Sequence, residues 1–141
     1  MTPVFVDPSV LLLAVGGEHP LRPVCRRVLA AAATGRLRLH VSVEGGQEFL
    51  FHRLRRVGRE QAVREFDHVE RLAVWHPFDL DILLASRDLV SRGHARGRDA
   101  VHAATARAAG FTTIVSTDGD FDGIPGLTRL DPADAWLDEQ P

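Results

Sequence analysis

Short apolar segments alternate with longer helical segments along the chain, and this alternation constrains the fold more than any other feature. The apolar segments are residues 4–6, 37–42, 73–76, 113–116 and 127–130, and each reads as a short strand. Between and after them lie segments with helical spacing or propensity: residues 8–15, 20–33, 43–56, 59–72, 79–92, 99–109 and 132–137. Strands separated by helices predict an α/β fold with a mostly parallel central sheet.

Composition sets the broad class of the protein. With 141 residues, the chain is expected to form one domain over residues 1–141. No apolar run reaches the length of a membrane-spanning helix, and the start lacks the basic region of a signal peptide. A single cysteine, Cys25, cannot form an intramolecular disulfide, so a bacterial cytoplasm is the expected setting.

Basic residues are all arginine, and their distribution says more than the net charge of −2. One cluster is formed by residues 53, 55, 56 and 59, and a second by residues 92, 96 and 98. A guanidinium offers a planar fork of donors that suits phosphate. The same clusters are equally compatible with solvated helix faces.

Three aspartates precede a glycine near the end of the chain and copy the start of a calcium-binding EF-hand loop. Asp118, Asp120, Asp122 and Gly123 fit the first six positions of that loop. Position 12 must be a bidentate glutamate, but Arg129 stands there. A strand-like segment also precedes the loop where an EF-hand has a helix. Both observations exclude an EF-hand.

Acidic residues follow the ends of several predicted strands and begin two of the helices. Asp7 ends the first strand, Asp118 follows the strand at residues 113–116, and Asp99 opens a helix. Glu44 and Glu48 occupy the first turns after the second strand. Parallel strands bring these ends to one edge of the sheet, so the acids are expected to converge. Asp7 and Asp99 also suit helix capping, an alternative that stays open here.

Converging carboxylates repel one another unless a cation lies between them, and Mg²⁺ or Mn²⁺ prefers oxygen ligands of this kind. A zinc site is not indicated, because the seven histidines are scattered and no H-x-x-x-H or C-x-x-C pair exists. The sequence also lacks G-x-S-x-G, GxGxxG and a Walker P-loop.

Four blocks, in order along the chain, resemble the PIN-domain ribonucleases, specifically the VapC-type toxins of type II toxin–antitoxin systems. The blocks are "VFVDPSVLL", "HVSVEGGQEFLFHRLR", "GRDAVHAATARAAGF" and "IVSTDGDFDGIPGL". This resemblance covers nearly the whole chain. It implies a three-layer α/β/α sandwich and assigns the metal site to Asp7, Glu48, Asp99 and Asp118.

The resemblance also identifies auxiliary positions. Ser9 and Thr117 fall on hydroxyl positions beside the acids, and Asp120 on a position that is often acidic. Asp122 is expected to be a turn residue beyond Phe121, which should pack into the core.

Two further side chains share helix faces with the acids. Glu44 lies one turn before Glu48; the family block "QEF" favours Glu48 as the ligand and leaves an auxiliary role for Glu44 open. His102 shares the face of Asp99, and a hydrogen-bonded helix histidine is favoured over a catalytic base.

The resemblance implies cleavage of RNA phosphodiester bonds by water activated by Mg²⁺ or Mn²⁺. Arginines near the acids would position the RNA backbone, and the candidates are Arg53, Arg56, Arg96 and Arg98. Family membership further implies a homodimer and a cognate VapB-type antitoxin. Two alternatives remain: a catalytically silent PIN fold that only binds RNA or a partner, and a nuclease with a DNA or processing substrate.

Overall fold

The computed structural model of the protein describes residues 1–140, which form five strands, six α-helices and two short 3₁₀ turns. The strands are β1 (Thr2–Phe5), β2 (Leu37–Ser42), β3 (Ala73–His76), β4 (Thr113–Val115) and β5 (Thr128–Leu130). The helices are α1 (Pro8–Val15), α2 (Arg22–Ala33), α3 (Val43–Val57), α4 (Arg59–Leu72), α5 (Leu80–Ser91) and α6 (Gly97–Ala108). The 3₁₀ turns span Gly119–Phe121 and Ala135–Glu139.

All pairings between the strands are parallel, as the alternation of strands and helices predicts. β1 pairs with β2 and β2 with β3, while β4 pairs with β5. A parallel bridge between Val6 and Val115 joins the two groups, and the Asp7 amide donates to the Val115 carbonyl over 2.9 Å. The strand order across the whole sheet is therefore β3-β2-β1-β4-β5.

Side chains of β1 alternate between the two faces of the sheet, and each face is covered by helices. Val4 and Val6 belong to an apolar cluster that includes buried residues of α1, α2, α3 and α4. Phe5 points the other way, into a cluster with buried residues of α5 and α6. This is the three-layer α/β/α arrangement. The chain therefore buries both faces of its sheet, as parallel sheets require.

The last predicted helix differs from the structure. Residues 132–137 were expected to be helical, but a 3₁₀ turn begins only at Ala135. Asp131 accepts hydrogen bonds from the two amides at which an earlier helix would start. Its carboxylate accepts from the Ala133 amide over 2.9 Å, and its carbonyl accepts from the Asp134 amide over 3.0 Å. An aspartate turn thus replaces the first turn of the helix.

Helix α3 lies unusually close to β3. A Cβ added to Gly46 would come within 2.7 Å of the Trp75 ring, so only glycine permits this approach without displacing the ring. Ser42 caps the start of α3 by accepting from the Gly45 amide over 2.9 Å. Together these contacts fix the first two turns of α3, which carry Glu44 and Glu48.

None of the helices within residues 1–140 combines the length and the apolar character needed to cross a bilayer.

Candidate metal centre

Two of the acids predicted from the sequence, Asp7 and Asp118, lie where the strand order reverses. β1 and β4 are neighbours in the sheet, although they are far apart in the chain, and both are followed at their carboxyl ends by an acid. Ligand sites in open α/β sheets lie in the crevice at such a reversal. Asp7 comes from the β1 side of this crevice and Asp118 from the β4 side.

Asp7 makes the helix cap that the sequence left open as an alternative, and its role as a metal ligand stays a prediction. Its carboxylate caps α1 by accepting from the Ser9 amide over 3.3 Å, and it also accepts from the Ser116 hydroxyl over 3.0 Å. The side chain is buried. Burial raises the pKa of Asp7, and the hydrogen bonds with Ser9 and Ser116 offset only part of this effect.

Three other carboxylates form the tightest acidic group. Asp99, Asp118 and Asp120 each present an oxygen within 4.8 Å of the other two. Asp118 is held in place by its own loop, because its carboxylate accepts from the Asp120 amide over 2.9 Å and its amide donates to the Ser116 hydroxyl over 3.0 Å. The family resemblance gave Asp120 only an auxiliary position, but its carboxylate belongs to the same close group as those of Asp99 and Asp118.

Electrostatic repulsion within the group is most evident at Asp99. Burial and the neighbouring charges of Asp7 and Asp118 raise the pKa of Asp99 to about 6. A carboxyl with such a pKa marks a place where negative charge is concentrated without a matching cation.

A pair of hydroxyls lies beside the acids. The Thr117 hydroxyl donates to the Ser9 hydroxyl oxygen over 3.1 Å. This contact ties the first turn of α1 to the loop after β4, and so it helps to hold Asp7 and Asp118 side by side.

Glu48 reaches the crevice from α3 and is held by α6. His102 places Nε2 3.1 Å from Glu48 Oε2 and Nδ1 2.8 Å from the Ser42 hydroxyl oxygen. Burial raises the pKa of Glu48, but the hydrogen bond with His102 and the Arg98 guanidinium outweigh burial and hold that pKa below its usual value. His102 is buried and hydrogen-bonded, as the sequence favoured.

Sequence reasoning missed the part that Ser42 plays in this cluster. Ser42 was recognised only as the residue that ends the second strand. Its hydroxyl meets His102 across sixty positions of the chain, so no local spacing indicates the contact.

Arg98 connects the two glutamates of α3. Its guanidinium lies 3.4 Å from Glu44 and 3.8 Å from Glu48. Glu44 is thus on the crevice face of α3, one turn from Glu48, and its direct partner is an arginine. Its role at the metal site stays a prediction, as does the choice of Glu48 over Glu44.

The position of Arg53 differs from the one that the sequence analysis expected. It was a candidate for RNA contact, yet its side chain is buried between α3 and α4 and makes a bidentate ion pair with Glu65 at 2.9 Å. A guanidinium used in this way is not free to bind a phosphate. Arg56, Arg96 and Arg98 are exposed, and Arg96 lines a cavity of about 350 Å³ that also includes Asp99 and Asp120.

Asp122 and Arg129 explain why the calcium-loop pattern fails. Arg129 Nε donates to Asp122 over 2.8 Å, and a guanidinium nitrogen donates to the Ser116 carbonyl over 3.1 Å. The arginine at position 12 therefore neutralises the third aspartate of the pattern. Phe121, which stands between Asp120 and Asp122 in the chain, is fully buried. Asp122 therefore lies beyond the acidic group as a turn residue.

The donor set fits a hard divalent cation. The group offers only carboxylate oxygens, flanked by hydroxyls, and the His102 imidazole is already engaged by Ser42 and Glu48. Oxygen-only sites suit Mg²⁺ or Mn²⁺ rather than zinc. Burial and the charges of Asp7 and Asp118 raise the pKa of Asp99, and a cation would favour its ionised form.

Comparison with known proteins identifies the family. The model of the PIN domain family matches residues 4–127, a range that contains Asp7, Glu48, Asp99, Asp118 and Asp120. This chain belongs to the PIN-domain family. The PIN domain is 34% identical over 138 residues to Ribonuclease VapC7 of Mycobacterium tuberculosis, covering 95% of this chain and 94% of that protein. It is 31% identical to Ribonuclease VapC13 of the same organism, covering 90% and 98%.

Solved structures of other proteins share the fold. The structure of M. tuberculosis VapC20, titled a sarcin-ricin loop cleaving toxin, superposes with a TM-score of 0.71 at 19% identity and covers 86% of this chain and 95% of that chain. A chain in the structure of VapBC2 from Rickettsia felis, bound to a promoter DNA fragment, also gives 0.71, at 18% identity, with coverage of 92% and 98%.

Proposed function

We propose that this protein is a VapC-type endoribonuclease toxin that hydrolyses RNA phosphodiester bonds with Mg²⁺ or Mn²⁺. The observation that carries the proposal is the close group of Asp99, Asp118 and Asp120, whose carboxylate oxygens lie within 4.8 Å of one another. Burial and the neighbouring charges of Asp7 and Asp118 raise the pKa of Asp99 in this group. We propose that Asp7 and Glu48 complete the site. The sequence relatives at 31–34% identity are ribonucleases, which indicates the reaction.

The proposed site assigns the cation to three carboxylates and leaves two more acids to complete it. Asp99, Asp118 and Asp120 would hold the cation, because their oxygens lie within 4.8 Å of one another, and Asp7 and Glu48 are proposed as additional ligands. A divalent ion bound there would neutralise the scissile phosphate, lower the pKa of the attacking water and stabilise the leaving 3′-oxygen. No side-chain nucleophile is needed, and the products would carry a 3′-hydroxyl and a 5′-phosphate.

Arginines outside the acidic group are suited to hold the RNA backbone. Arg96 lies beside Asp99 and Asp120 along one cavity, and Arg98 stands over Glu44 and Glu48. Guanidinium groups at the rim would offset the repulsion between the acids and an incoming phosphate. Arg56, further along α3, would contact a more distant part of the strand.

We further propose that the protein forms a homodimer and is neutralised by a cognate VapB-type antitoxin. Support comes from the similar fold of chains in VapBC complexes. Helix α5 offers an apolar surface to a second copy: Leu80, Leu83, Leu84 and Val90 are each about half exposed or more. Leu83 and Leu84 lie three and four residues after Leu80, and Val90 lies two turns after Leu83. We propose that the reaction takes place in the cytoplasm, where an RNA substrate is found.

Two substitutions test the metal site. Asp99→Asn and Asp118→Asn keep the shape of the side chain and remove its charge, so each should lower RNA cleavage at least about 100-fold, since loss of an outer-shell partner alone typically costs 10–100-fold. The measurement is cleavage of a mixed RNA pool by the purified protein with Mg²⁺ or Mn²⁺, with circular dichroism to check folding.

Asp122→Asn is the matched control, because Asp122 lies in the same loop but pairs with Arg129 outside the acidic group. It should cleave at a rate close to that of the wild type. Full activity of both Asp99→Asn and Asp118→Asn would overturn the metal-site assignment. RNA binding by the wild type without cleavage under any divalent ion would instead favour the catalytically silent PIN fold, and cleavage of DNA alone would change the substrate.

A further inference from the structure

We infer that His102 is a positioning residue, which fixes one oxygen of Glu48 through Nε2 and leaves the other oxygen available to a cation. This inference rests on the proposed function, because it assigns a supporting partner to one of the proposed metal ligands. His102 itself touches neither the substrate nor the reacting atoms in this arrangement.

The hydrogen-bond network determines which ring nitrogen carries the hydrogen facing Glu48. The Ser42 hydroxyl oxygen accepts from the Gly45 amide over 2.9 Å, and the hydroxyl hydrogen can then be donated to His102 Nδ1 over 2.8 Å. With Nδ1 as acceptor, Nε2 must carry the hydrogen and donate to Glu48 Oε2 over 3.1 Å.

The opposite tautomer would set a nitrogen lone pair against a carboxylate oxygen. Two lone pairs would then face each other across 3.1 Å, and neither acceptor would have a hydrogen to receive. If the ring carries both hydrogens, Nε2 still donates to Glu48. In every arrangement that satisfies the network, His102 Nε2 is therefore a donor to Glu48 Oε2.

This donor restricts the rotation of the carboxylate. Glu48 is long and only its end reaches the crevice, so without an anchor its carboxylate would sample several orientations. Oε2 is held by His102, while Oε1 faces Arg98 at 3.8 Å, too far for a strong hydrogen bond. Oε1 is the oxygen that remains available to a cation.

Burial makes the anchor rigid. Only 1% of the His102 side chain is exposed, and it lies on α6 one turn after Asp99. The same ring therefore ties Glu48 on α3 to the helix that carries Asp99. The distance between these two acids is set by His102 rather than by the flexible glutamate side chain. Outer-shell partners of metal ligands commonly have this effect.

Two substitutions separate the contact with Glu48 from the contact with Ser42. Glutamine places its amide nitrogen near the position of histidine Nε2, so His102→Gln retains a donor to Glu48. Asparagine places its amide near Nδ1, so His102→Asn can reach Ser42 but not Glu48. We expect His102→Gln to bind Mn²⁺ within about threefold of the wild type, and His102→Asn to bind about 10–100-fold more weakly.

The measurement is Mn²⁺ affinity by electron paramagnetic resonance or calorimetry, without RNA, on variants whose fold is checked by thermal unfolding. Equal, wild-type affinity in both variants would overturn the inference, as would equal weakening in two folded variants. In a Glu48→Gln background, His102→Asn should cause no further loss of affinity, and an additional loss of tenfold or more would also contradict it.

The outcome is independent of cleavage. A wild type that binds Mn²⁺ with this dependence on His102 but cuts no RNA would overturn the proposed ribonuclease function and leave the positioning role standing. Cleavage that is unaffected in His102→Asn, together with unchanged Mn²⁺ affinity, would overturn the positioning role alone.

Discussion

Asp99 holds its proton far more tightly than a free aspartate does. Its pKa of about 6 arises from burial and from the charges of Asp7 and Asp118, with a smaller contribution from Asp120. The folded state binds this proton more tightly than the unfolded chain does. The free energy of unfolding of the metal-free protein is therefore lowered at pH values where Asp99 must ionise. This is the energetic cost that a bound cation would remove.

The corresponding prediction concerns stability in a chelator. The stabilisation by protonated Asp99 is complete below the unfolded pKa of 3.8 and is lost as pH rises through about 6. Metal-free Asp99→Asn should lack this loss, and above pH 6 it should be more stable than the wild type by about 1 kcal/mol, a value discounted for solvent screening of a half-buried group. Thermal unfolding in EDTA between pH 4 and 8 measures the difference.

Added Mg²⁺ provides the control for this experiment. It should stabilise the wild type and not Asp99→Asn. The higher melting temperature of Asp99→Asn in EDTA should therefore shrink toward that of the wild type, or fall below it, when metal is added. A wild type whose metal-free stability rises steadily from pH 4 to 6, relative to Asp99→Asn, would contradict the prediction.

Single residues differ in how far the sequence predicts them. The closeness of Asp7 and Asp118 was predictable because each lies within three residues of the end of a strand and parallel strands end at one edge. The contact of His102 with Ser42 was not, since it depends on how α6 packs against the end of β2. Arg53 was mistaken for a surface residue because the burial of α3 against α4 is not visible in a run of arginines.

At the scale of elements, the Arg53–Glu65 pair joins α3 to α4. Both side chains are largely buried, with 9% and 14% exposed. Removal of one partner leaves the other charge buried without compensation. Arg53→Ala should therefore destabilise the fold by about 3 kcal/mol, measured by urea unfolding, rather than act on RNA directly.

Arg56→Ala on the same helix is the matched comparison. Arg56 is exposed, so its replacement should change stability by less than about 0.5 kcal/mol and weaken RNA binding with a reduced dependence on salt. The reverse pattern, an unchanged stability for Arg53→Ala and a large loss for Arg56→Ala, would show that the two arginines have been assigned the wrong roles.

The boundaries of most elements followed from the sequence. Residues 59–72 and 73–76 are the observed bounds of α4 and β3, because Gly58 and Pro77 limit both sides of this stretch. The start of α6 was placed two residues late, since Gly97 with a φ of 57° begins the helix without a capping side chain. The final 3₁₀ turn depends on hydrogen bonds to Asp131, which spacing and propensity alone do not indicate.

At the scale of the whole molecule, the apolar stripe on α5 predicts the face of the dimer. Leu83 and Leu84 are about half exposed on the outside of the helix, whereas Ile82 and Leu89 pack into the core. Leu83→Arg should convert a dimer to a monomer, because a guanidinium buried in an apolar interface has no partner there. Light scattering after size-exclusion chromatography measures the mass.

Val63→Arg is the control for the dimer experiment. Val63 is exposed to a similar degree, but it lies on α4. This variant should remain dimeric. A dimer that survives Leu83→Arg, or that is lost in Val63→Arg instead, would place the interface elsewhere.

The order of the acids along the chain has a consequence for synthesis on the ribosome. The crevice takes Asp7 from the first strand to be translated and Asp118 and Asp120 from the loop after the fourth. β4 supplies the strand next to β1, so the crevice has only one wall until that strand emerges. A nascent chain therefore has no complete acidic group until Asp120 has been added, so only a nearly finished copy can assemble the proposed site.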